Sequence, residues 1–325
     1  MTASLQAETT NQVIDQITLT KRSIDQILDR TMELVNQGDS GIAISSLFFR
    51  LGKLSAKFSC ETFQDWIRDY CTSHPIAEIL WQSPITKRCF SKPKGYAGDA
   101  TLIDYIYLKD ENIEFANEIA EILHKSICNS TSCDSVRERA KYFGNLITQI
   151  SESKKRKISA ISIASGHLRE LDHVSHFEDK VYHFIGLDQD AESNTEARRS
   201  YQFKGLTVLD ESIKYVLAGK LEAESYDLVY SAGLFDYLDE KVAARMTKRM
   251  FELVVPGGTM VIPNFAKGII ERGYMETFMD WYLIYRDEME LYGFMKELDM
   301  SQVASWNIHG DKYGNILYLT VVKKG

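Results

Sequence analysis

The sequence lacks several features on which whole classes of protein depend. No apolar run approaches the roughly 20 residues that a helix needs to cross a bilayer. The amino-terminal residues contain neither the basic stretch nor the apolar stretch of a secretory signal. The five cysteines are scattered and form no C-x-x-C pair, so we expect reduced thiols rather than a disulfide framework. Together these absences predict a cytoplasmic protein without a membrane span.

A surplus of positive charge is also missing. The chain has 38 Lys and Arg against 46 Asp and Glu, a formal net charge of -8, which gives no general attraction to nucleic acid. The basic run at residues 154–157 is best explained as a solvated connector. Among the seven histidines only His173 and His176 are close in spacing, so no metal is expected. The expected partner is a small molecule.

The first half of the chain has the pattern of helices. Hydrophobic residues between Ile14 and Val35 recur mostly at spacings of three and four. Turn signals lie at residues 38–41 and 73–75, and further helices are predicted at about 61–72, 100–108, 112–127 and 134–150. Residues 1–150 are therefore predicted to form a helical domain and lid, whose helices are the candidate surface for a homodimer.

The pattern changes after residue 157. Short β-branched or aromatic runs alternate with helical stretches, which predicts a parallel sheet with right-handed crossovers. These runs are 157–163, 182–187, 206–209, 226–230 and 259–262. Two last runs, 303–309 and 316–323, are separated by a glycine-containing turn and predict a hairpin. Residues 151–325 are thus predicted to form an α/β, Rossmann-like sheet with a C-terminal antiparallel hairpin.

The residues that follow the first two predicted strands are suited to one ligand. In an open α/β sheet the ligand binds beyond the carboxyl ends of the strands. After the first strand, the small residues Ser165 and Gly166 let an amino-acid portion approach the backbone. After the second, Asp188 stands about twenty residues downstream, where a carboxylate accepts hydrogen bonds from a ribose diol, and Gln189 follows it.

The next two strand ends complete the candidate cofactor site. Glu211 and Ser212 follow the third strand, where a polar side chain and a backbone N–H commonly read an adenine edge. Ser231, Ala232 and Phe235 follow the fourth strand and would surround the reactive end of the ligand. A turn at residues 255–258 precedes the fifth strand. The order and spacing of these ends predict the site more strongly than any one motif.

Four segments resemble motifs of the Rossmann-like (class I) S-adenosylmethionine-dependent methyltransferases. They are ISIASGHLRE, FIGLDQD, YDLVYSAGLFDYL and VVPGGTMVI, and they span roughly the last half of the chain. The resemblance implies a methyltransferase sheet with S-adenosylmethionine at the four strand ends. On the usual motif, Ser162 stands for the acid and Ala164 and Leu168 for two of the glycines, so that only Gly166 is retained. The first strand end is therefore the most divergent one.

Two further segments, KPKGYAGD and MDWYLIYR, resemble a bacterial group assigned to the synthesis of 3-hydroxy fatty acid methyl esters. This resemblance implies O-methylation of a carboxylate or hydroxyl on an apolar, fatty-acid-like acceptor. N- or C-methylation of a small natural product stays open on the residues alone. Tyr96, in the first segment, either covers the cofactor or acceptor or belongs to a loop that joins two helices.

Several polar residues near these segments have two interpretations each. Tyr282 and the other aromatic residues of 264–300 either line an apolar pocket or pack helices onto the sheet. Arg286 either holds an acceptor carboxylate or pairs with a neighbouring acid. Glu170 either accepts from the amino group of the cofactor, pairs with Arg137 or Arg139, or caps a helix.

Two other functions share parts of this pattern. A nicotinamide-dependent oxidoreductase also has a glycine turn and a later acid, but the chain lacks G-x-G-x-x-G, since Leu168 and Arg169 stand where small residues are required. A non-catalytic regulator could retain a degenerate nucleotide fold and bind a protein partner through its N-terminal helices. Both remain open at the level of sequence.

Overall fold

The computed structural model describes residues 2–58, 66–108 and 113–325. The chain forms two compact units. The first, here called the helical unit, comprises residues 1–98, 109–130 and 270–282, and the second, the sheet unit, comprises residues 99–108, 131–269 and 283–325. The chain therefore passes between the two units more than once, and the sequence-based division at residue 150 stays a prediction beside this one.

The first half of the described chain is helical, as its periodicity predicts. Its helices are α1 (Thr2–Asn36), α2 (Ser40–Ser55), α3 (Arg68–Thr72), α4 (Ile76–Leu80), α5 (Pro84–Ser91), α6 (Ala100–Leu108), α7 (Glu118–Cys128) and α8 (Thr131–Lys154). The predicted turns at residues 38–41 and 73–75 coincide with the junctions α1–α2 and α3–α4. Residues 61–65 of the helix predicted over 61–72, which include Phe63, lie outside the described residues, and so does Cys60.

Close packing in the helical unit depends on two glycines. A Cβ at Gly52 on α2 would lie 2.3 Å from the carbonyl oxygen of Ile270, and one at Gly273 would lie 2.4 Å from the backbone of Leu51. Both distances are shorter than any real contact of that kind. The backbone of residues 270–273 can therefore lie directly against α2 only because both positions lack a side chain.

The sheet unit contains seven strands, which confirms the predicted fold. The elements after α8 are β1 (Ile158–Ile163), α9 (Phe177–Lys180), β2 (Val181–Asp188), α10 (Ala191–Ser200), β3 (Leu206–Asp210), α11 (Ile213–Leu217), β4 (Tyr226–Tyr230), α12 (Glu240–Leu253), β5 (Val254–Phe265), α13 (Arg272–Phe278), α14 (Glu288–Gly293), β6 (Val303–Gly310) and β7 (Ile316–Lys323). Their order across the sheet is β3-β2-β1-β4-β5-β7-β6. Strands β1 to β5 are parallel, and β7 is antiparallel to both β5 and β6.

The centre of the sheet is also the point where the strand order reverses. Every residue of β1 and of β4 is buried, because helices cover both faces of these neighbouring strands. From β1 the order runs outward to β2 and β3 on one side and to β4 and β5 on the other. A crevice at the carboxyl ends of β1 and β4 is the position where open α/β sheets bind ligands.

The fifth strand differs from its prediction. It was expected at residues 259–262 after a turn at 255–258, but β5 runs from Val254 to Phe265. Its pairing with β4 passes from Val254 directly to Thr259, and Gly257 has φ +70°. The predicted turn is thus a bulge inside a longer strand, because Gly257 can adopt this backbone conformation without strain.

No helix among the described residues is long and apolar enough to cross a membrane. Four of the cysteines, Cys71, Cys89, Cys128 and Cys133, are free and buried.

Candidate cofactor and active site

The turn after β1 keeps a glycine-like backbone although two of its glycines are replaced. Ala164, Gly166 and Leu168 have φ of +55°, +54° and +58°. This left-handed conformation costs a residue with a Cβ roughly 1–2 kcal/mol, and glycine adopts it freely. Ala164 and Leu168 therefore occupy positions where glycine is favoured, which explains why the family motif has glycine there.

Asp188 lies at the end of β2 and is bound to this turn. Its Oδ2 accepts a hydrogen bond from the N–H of Gly166 at 2.8 Å, and its Oδ1 accepts one from the N–H of Asp190 at 2.9 Å. A carboxylate has about four acceptor positions, so these two bonds leave room for the two hydroxyls of a ribose. Gln189, the next residue, is exposed.

The hydroxyl of Ser165 is a buried polar atom without a hydrogen-bond partner among the described residues. Ser165 is 9% exposed, and its Oγ faces the position where Gly186 has no side chain, 3.2 Å from a Cβ built there. A buried hydroxyl that lacks a partner is costly, so a ligand that hydrogen-bonds it would be stabilised. Ser165 therefore stays a predicted ligand-binding residue.

The start of α6 covers the same turn, which sequence reasoning missed. A Cβ at Gly166 would lie 3.3 Å from the Cβ of Ala100, the first residue of α6. Asp99 is 1% exposed and caps this helix by accepting from the N–H of Leu102 at 2.8 Å. The signal was present in the sequence, since an aspartate directly before an apolar run is a typical helix N-cap.

The adenine-side candidates lie beside Asp188. The N–H of Glu211 donates to the backbone oxygen of Asp188 at 3.0 Å, which fixes the loop after β3 against the end of β2. Ser212 caps α11, its Oγ accepting from the N–H of Lys214 at 3.3 Å. Both side chains are half-buried, and the long bond to Lys214 makes this cap a weak one.

Two of the three candidate residues after β4 have side chains that already contact other parts of the sheet unit. The hydroxyl of Ser231 donates to the carbonyl oxygen of Ile163 at 2.6 Å and joins the ends of β4 and β1. Phe235 is fully buried, and its ring lies 5.4 Å from that of Phe294. Ala232 is half-buried between them in sequence. Because residues 231–233 have short side chains, a ligand at this strand end would contact mainly backbone atoms.

Two buried charged side chains lie beside β1 and β4. Glu170 is 5% exposed, and its Oε1 accepts from the hydroxyls of Tyr230 at 2.7 Å and Ser162 at 3.2 Å. Burial raises the pKa of Glu170 above its usual value. Arg139, on α8, is also 5% exposed, and its Nε has no hydrogen-bond partner among the described residues.

Neither arginine that was considered as a partner of Glu170 forms an ion pair with it. Arg137 donates to the carbonyl oxygen of Ile106 at 2.8 Å and pairs with Asp134. The guanidinium of Arg139 donates a hydrogen bond to the hydroxyl of Tyr107 instead. The carboxylate of Glu170 and the guanidinium of Arg139 are thus close enough to interact electrostatically without a direct bond.

Asp236 is a second buried acid that the sequence did not reveal. It lies at the end of the short turn after β4, is 3% exposed, and its Oδ1 accepts from the N–H of Phe265 at 2.7 Å. Among the described residues, this is the one hydrogen bond that the carboxylate of Asp236 receives. Burial raises the pKa of Asp236 to about 6.

Arg286 holds this turn in place. Its Nη1 donates to the carbonyl oxygen of Phe235 and to Oδ1 of Asn264, both at 2.7 Å, and its Nη2 donates to the carbonyl oxygen of Leu238. The acids that follow it in sequence, Asp287 and Glu290, pair with Lys267 and not with Arg286. Burial lowers the pKa of Arg286. Its role in holding an acceptor carboxylate stays a prediction.

Tyr96 and Tyr282 belong to the helical unit. Tyr96 is 37% exposed, and Tyr282 is half-buried, which raises the pKa of its hydroxyl. Of the other aromatic residues of the 264–300 segment, Tyr274, Phe278 and Phe294 are fully buried. For these three the packing interpretation holds, because a ring without exposed surface cannot line a pocket.

Comparisons with known proteins agree with this geometry. Residues 163–262 match a family model described as a methyltransferase domain, from the end of β1 to β5. No curated protein matches the chain in sequence. A Bordetella parapertussis structure described as a possible exported protein is 13% identical, with a TM-score of 0.57 over 82% of this chain and 100% of that one. This likeness shows a shared fold.

Two solved methyltransferases are similar over a shorter part of the chain. Magnesium protoporphyrin IX methyltransferase from Synechocystis, solved with bound S-adenosylmethionine, is 10% identical, with a TM-score of 0.42 over 60% of this chain and 85% of that one. An N-methyltransferase from Bradyrhizobium japonicum is 11% identical, with a TM-score of 0.41 over 58% of this chain and 98% of that one.

The match over residues 163–262, together with the strand order, identifies a methyltransferase domain within the sheet unit, and the chain is an enzyme that uses S-adenosylmethionine. The residues fit this cofactor. Asp188 offers a carboxylate for the ribose, and the buried hydroxyl of Ser165 offers an unused polar atom at the turn. Among the described residues, no group of three or more His, Cys, Asp or Glu could hold a metal ion.

Proposed function

We propose that the enzyme methylates an oxygen atom of a small apolar acceptor, a hydroxyl or a carboxylate, and that the buried carboxylate of Asp236 favours the hydroxyl. S-adenosylmethionine, when bound, supplies the methyl group on a positively charged sulfur. Held by the residues at the ends of β1 to β4, the cofactor would present its methyl carbon to the acceptor oxygen and retain the sulfur. The protein has to align that oxygen with the methyl carbon and exclude water.

The position of Asp236 carries this proposal. It follows Phe235 at the carboxyl end of β4, where the family resemblance places the reacting end of the cofactor. Its Oδ1 is held by the N–H of Phe265 at the end of β5, which leaves Oδ2 for the proton of an acceptor hydroxyl. With a pKa of about 6, the carboxyl group is ionised at neutral pH and can accept that proton.

The apolar nature of the acceptor is supported by the segments KPKGYAGD and MDWYLIYR, which resemble the 3-hydroxy fatty acid methyl ester group. Tyr96, Tyr282 and Arg286 remain the candidate acceptor-site residues. A carboxylate acceptor needs no base, because it is already ionised at neutral pH.

The test uses methyl-labelled S-adenosylmethionine with a small-molecule cell extract and, separately, a panel of fatty acids and 3-hydroxy fatty acids. Label released as methanol by alkali indicates a methyl ester, whereas alkali-stable label that mass spectrometry assigns to oxygen indicates an ether. Label on nitrogen or carbon would contradict the proposal. Absence of any labelled product from the fatty acids, the 3-hydroxy fatty acids and the extract would contradict the proposed acceptor class.

Matched variants then test Asp236. Asp236→Asn should lower kcat on a hydroxyl acceptor about 100-fold, since general-base catalysis contributes roughly 100- to 10,000-fold. Asp239→Asn is the control, because Asp239 is exposed and only caps α12 through the N–H of Val242. Equal activity of both variants on a hydroxyl acceptor would show that Asp236 is not the base.

We further propose a homodimer formed through the N-terminal helices and a cytoplasmic location. Ile42 and Phe49, seven residues apart on α2, are 60% and 46% exposed and lie on one face of the helix. If this face is the dimer surface, Phe49→Glu should convert a dimer into a monomer in light scattering. The location is supported by the four buried cysteines of the described chain that form no disulfide.

A further inference from the structure

We propose that the exposed side of α5 and the turn that follows it bind the surface of a membrane that contains anionic lipids. This surface, here called the basic patch, comprises Lys87, Phe90, Lys92, Lys94 and Tyr96. The inference rests on the proposed function in one respect, since an apolar, fatty-acid-like acceptor collects in membranes. The binding itself does not require methyl transfer and is tested without it.

The first argument is the charge of this part of the helical unit. Residues 81–98 contain four basic residues and no acidic one, whereas the whole chain has 46 acidic residues against 38 basic ones. Lys92 pairs with Asp280, so the attraction to an anionic surface would depend mainly on the other basic residues. Charges more than about 10 Å apart are largely screened at physiological salt. The local surplus at residues 81–98 therefore matters more for binding than the net charge of -8.

The second argument is the orientation of α5. Thr86 and Cys89 are buried, and the hydroxyl of Thr86 lies 2.9 Å from that of Tyr274. Lys87 and Phe90, three residues apart, are neighbours on the exposed side of the helix. The helix thus presents a cation beside an aromatic ring, which is the combination typical of helices that lie in a membrane interface.

The third argument is that the exposed ring of Phe90 is fixed in place. It packs against the ring of Trp81, with centroids 4.5 Å apart, and the indole N–H of Trp81 donates to the carbonyl oxygen of Phe278 at 3.0 Å. Phe90 nevertheless keeps 37% of its surface exposed. A ring that is already ordered loses little conformational freedom when it enters the headgroup region of a membrane.

The turn after α5 is also preformed. Lys92 has φ +46° and ends the helix, with its N–H donating to the carbonyl oxygen of Arg88 at 3.0 Å. The N–H of Gly95 donates to the carbonyl oxygen of Lys92 at 2.8 Å, and Pro93 between them has a fixed φ. Tyr96, which follows, is 37% exposed. The turn therefore places two lysines between the exposed rings of the basic patch.

A soluble acidic protein is the other class of partner that these charges would attract. A stable protein interface needs roughly 20–30 residues on each side, and the basic patch has five. Membrane binding has no such minimum, because each lysine near an anionic surface and each inserted ring adds affinity separately. The small size of the patch and its exposed rings therefore favour the membrane.

The test is co-sedimentation of the full chain with vesicles of phosphatidylcholine alone and with vesicles that also contain about one-quarter phosphatidylglycerol. We expect binding to the anionic vesicles only, and weaker binding as NaCl is raised from about 0.05 M to about 0.5 M. Lys87→Gln combined with Lys94→Gln should weaken binding about 30-fold, or about fivefold for each lysine. Phe90→Ser should weaken it about tenfold at low and at high salt, because the ring contributes apolar burial rather than charge.

The matched control is Lys155→Gln combined with Lys157→Gln. Both lysines are exposed and belong to the basic run 154–157 of the sheet unit, which contains no aromatic residue. This control removes the same charge from the protein, and it should bind anionic vesicles within about twofold of the wild-type protein. Both double variants should bind S-adenosylhomocysteine as the wild-type protein does, which shows that they are folded.

Three results would overturn the proposal. The first is no binding of the wild-type protein to anionic vesicles at low salt. The second is equal weakening by the two double variants, which would show a general effect of charge. The third is binding of a purified acidic carrier protein that bears a fatty acyl chain, without binding of vesicles, which would assign the basic patch to a protein partner. None of these measurements involves methyl transfer, so each result is separate from the test of the acceptor.

Discussion

Replacement of Asp188 by alanine should remove the carboxylate that is predicted to bind the ribose of the cofactor. The carboxylate would receive two ribose hydroxyls in addition to the N–H groups of Gly166 and Asp190. A hydrogen bond to a charged group contributes about 1.5–3 kcal/mol. Two such bonds amount to at least about 3 kcal/mol, so affinity for S-adenosylhomocysteine should fall by about 150-fold.

The assay is isothermal titration calorimetry on folded protein, with thermal unfolding measured in parallel. Asp188→Ala also leaves two backbone N–H groups without their acceptor, so the free energy of unfolding should fall by about 1–3 kcal/mol for each group that water does not reach. Asp190→Ala is the control. It removes the cap of α10, whose side chain accepts from the N–H of Glu192, and should cost about 1 kcal/mol in stability without changing the affinity.

A folded Asp188→Ala variant that binds S-adenosylhomocysteine within about threefold of the wild-type protein would contradict this role of Asp188. That result would mean that the carboxylate serves only the turn, through Gly166, and that the ribose is held elsewhere.

Three further predictions concern the stability of the same region. Ala164→Gly should raise the free energy of unfolding by about 0.5–1 kcal/mol in urea, because relief of a left-handed φ exceeds the added entropy of the unfolded chain; a decrease would contradict this. Because Asp236 has a pKa of about 6 against a usual 3.8, its contribution to stability is complete below pH 3.8 and is lost as the pH rises through 6. Unfolding measured at pH 4 and pH 8 should therefore show that Asp236→Asn removes up to about 3 kcal/mol of the pH dependence, and an unchanged dependence would assign it to other groups. In thermal unfolding, Arg286→Leu should lower the free energy of unfolding by at least about 3 kcal/mol, since three buried acceptors lose their donor. Lys267→Met removes only an exposed ion pair and should lower it by less than about 1 kcal/mol.

Much of the sheet could be predicted because its signal is local. The run Tyr226–Tyr230 coincides with β4, and the hairpin residues 316–323 coincide with β7. Asp188 could be located in the same way, since a strand and the residue that follows it are adjacent in sequence. The bulge in β5 was missed because a glycine pair after proline indicates a turn in most contexts.

The positions of the buried charges depend on tertiary packing. Glu170 meets Tyr230 across 60 residues of sequence, and Arg139 reaches the end of β4 only because α8 packs against that strand. One signal was nevertheless available. Arg139 lies in the apolar stripe of α8, three residues after Val136 and four before Phe143, both of which are buried. A charged residue in such a stripe indicates a buried site rather than a solvated face.

The aromatic residues of the 264–300 segment show where sequence composition was a poor guide to the site. Their number favoured an apolar pocket, but Tyr274 and Phe278 pack inside the helical unit, with ring centroids 5.5 Å apart. Aromatic density alone does not separate a pocket from a core, because both bury the same side chains. The candidate acceptor residues are therefore better sought among polar groups such as Asp236.

The central claim is that the ends of β1 to β4 bind S-adenosylmethionine. Calorimetry of the wild-type protein with S-adenosylhomocysteine and, in parallel, with NADH tests it most directly. We predict saturable binding of S-adenosylhomocysteine and no binding of NADH, because the turn at Leu168 and Arg169 lacks the small residues that a dinucleotide requires. Tight binding of NADH with no response to S-adenosylhomocysteine would contradict it.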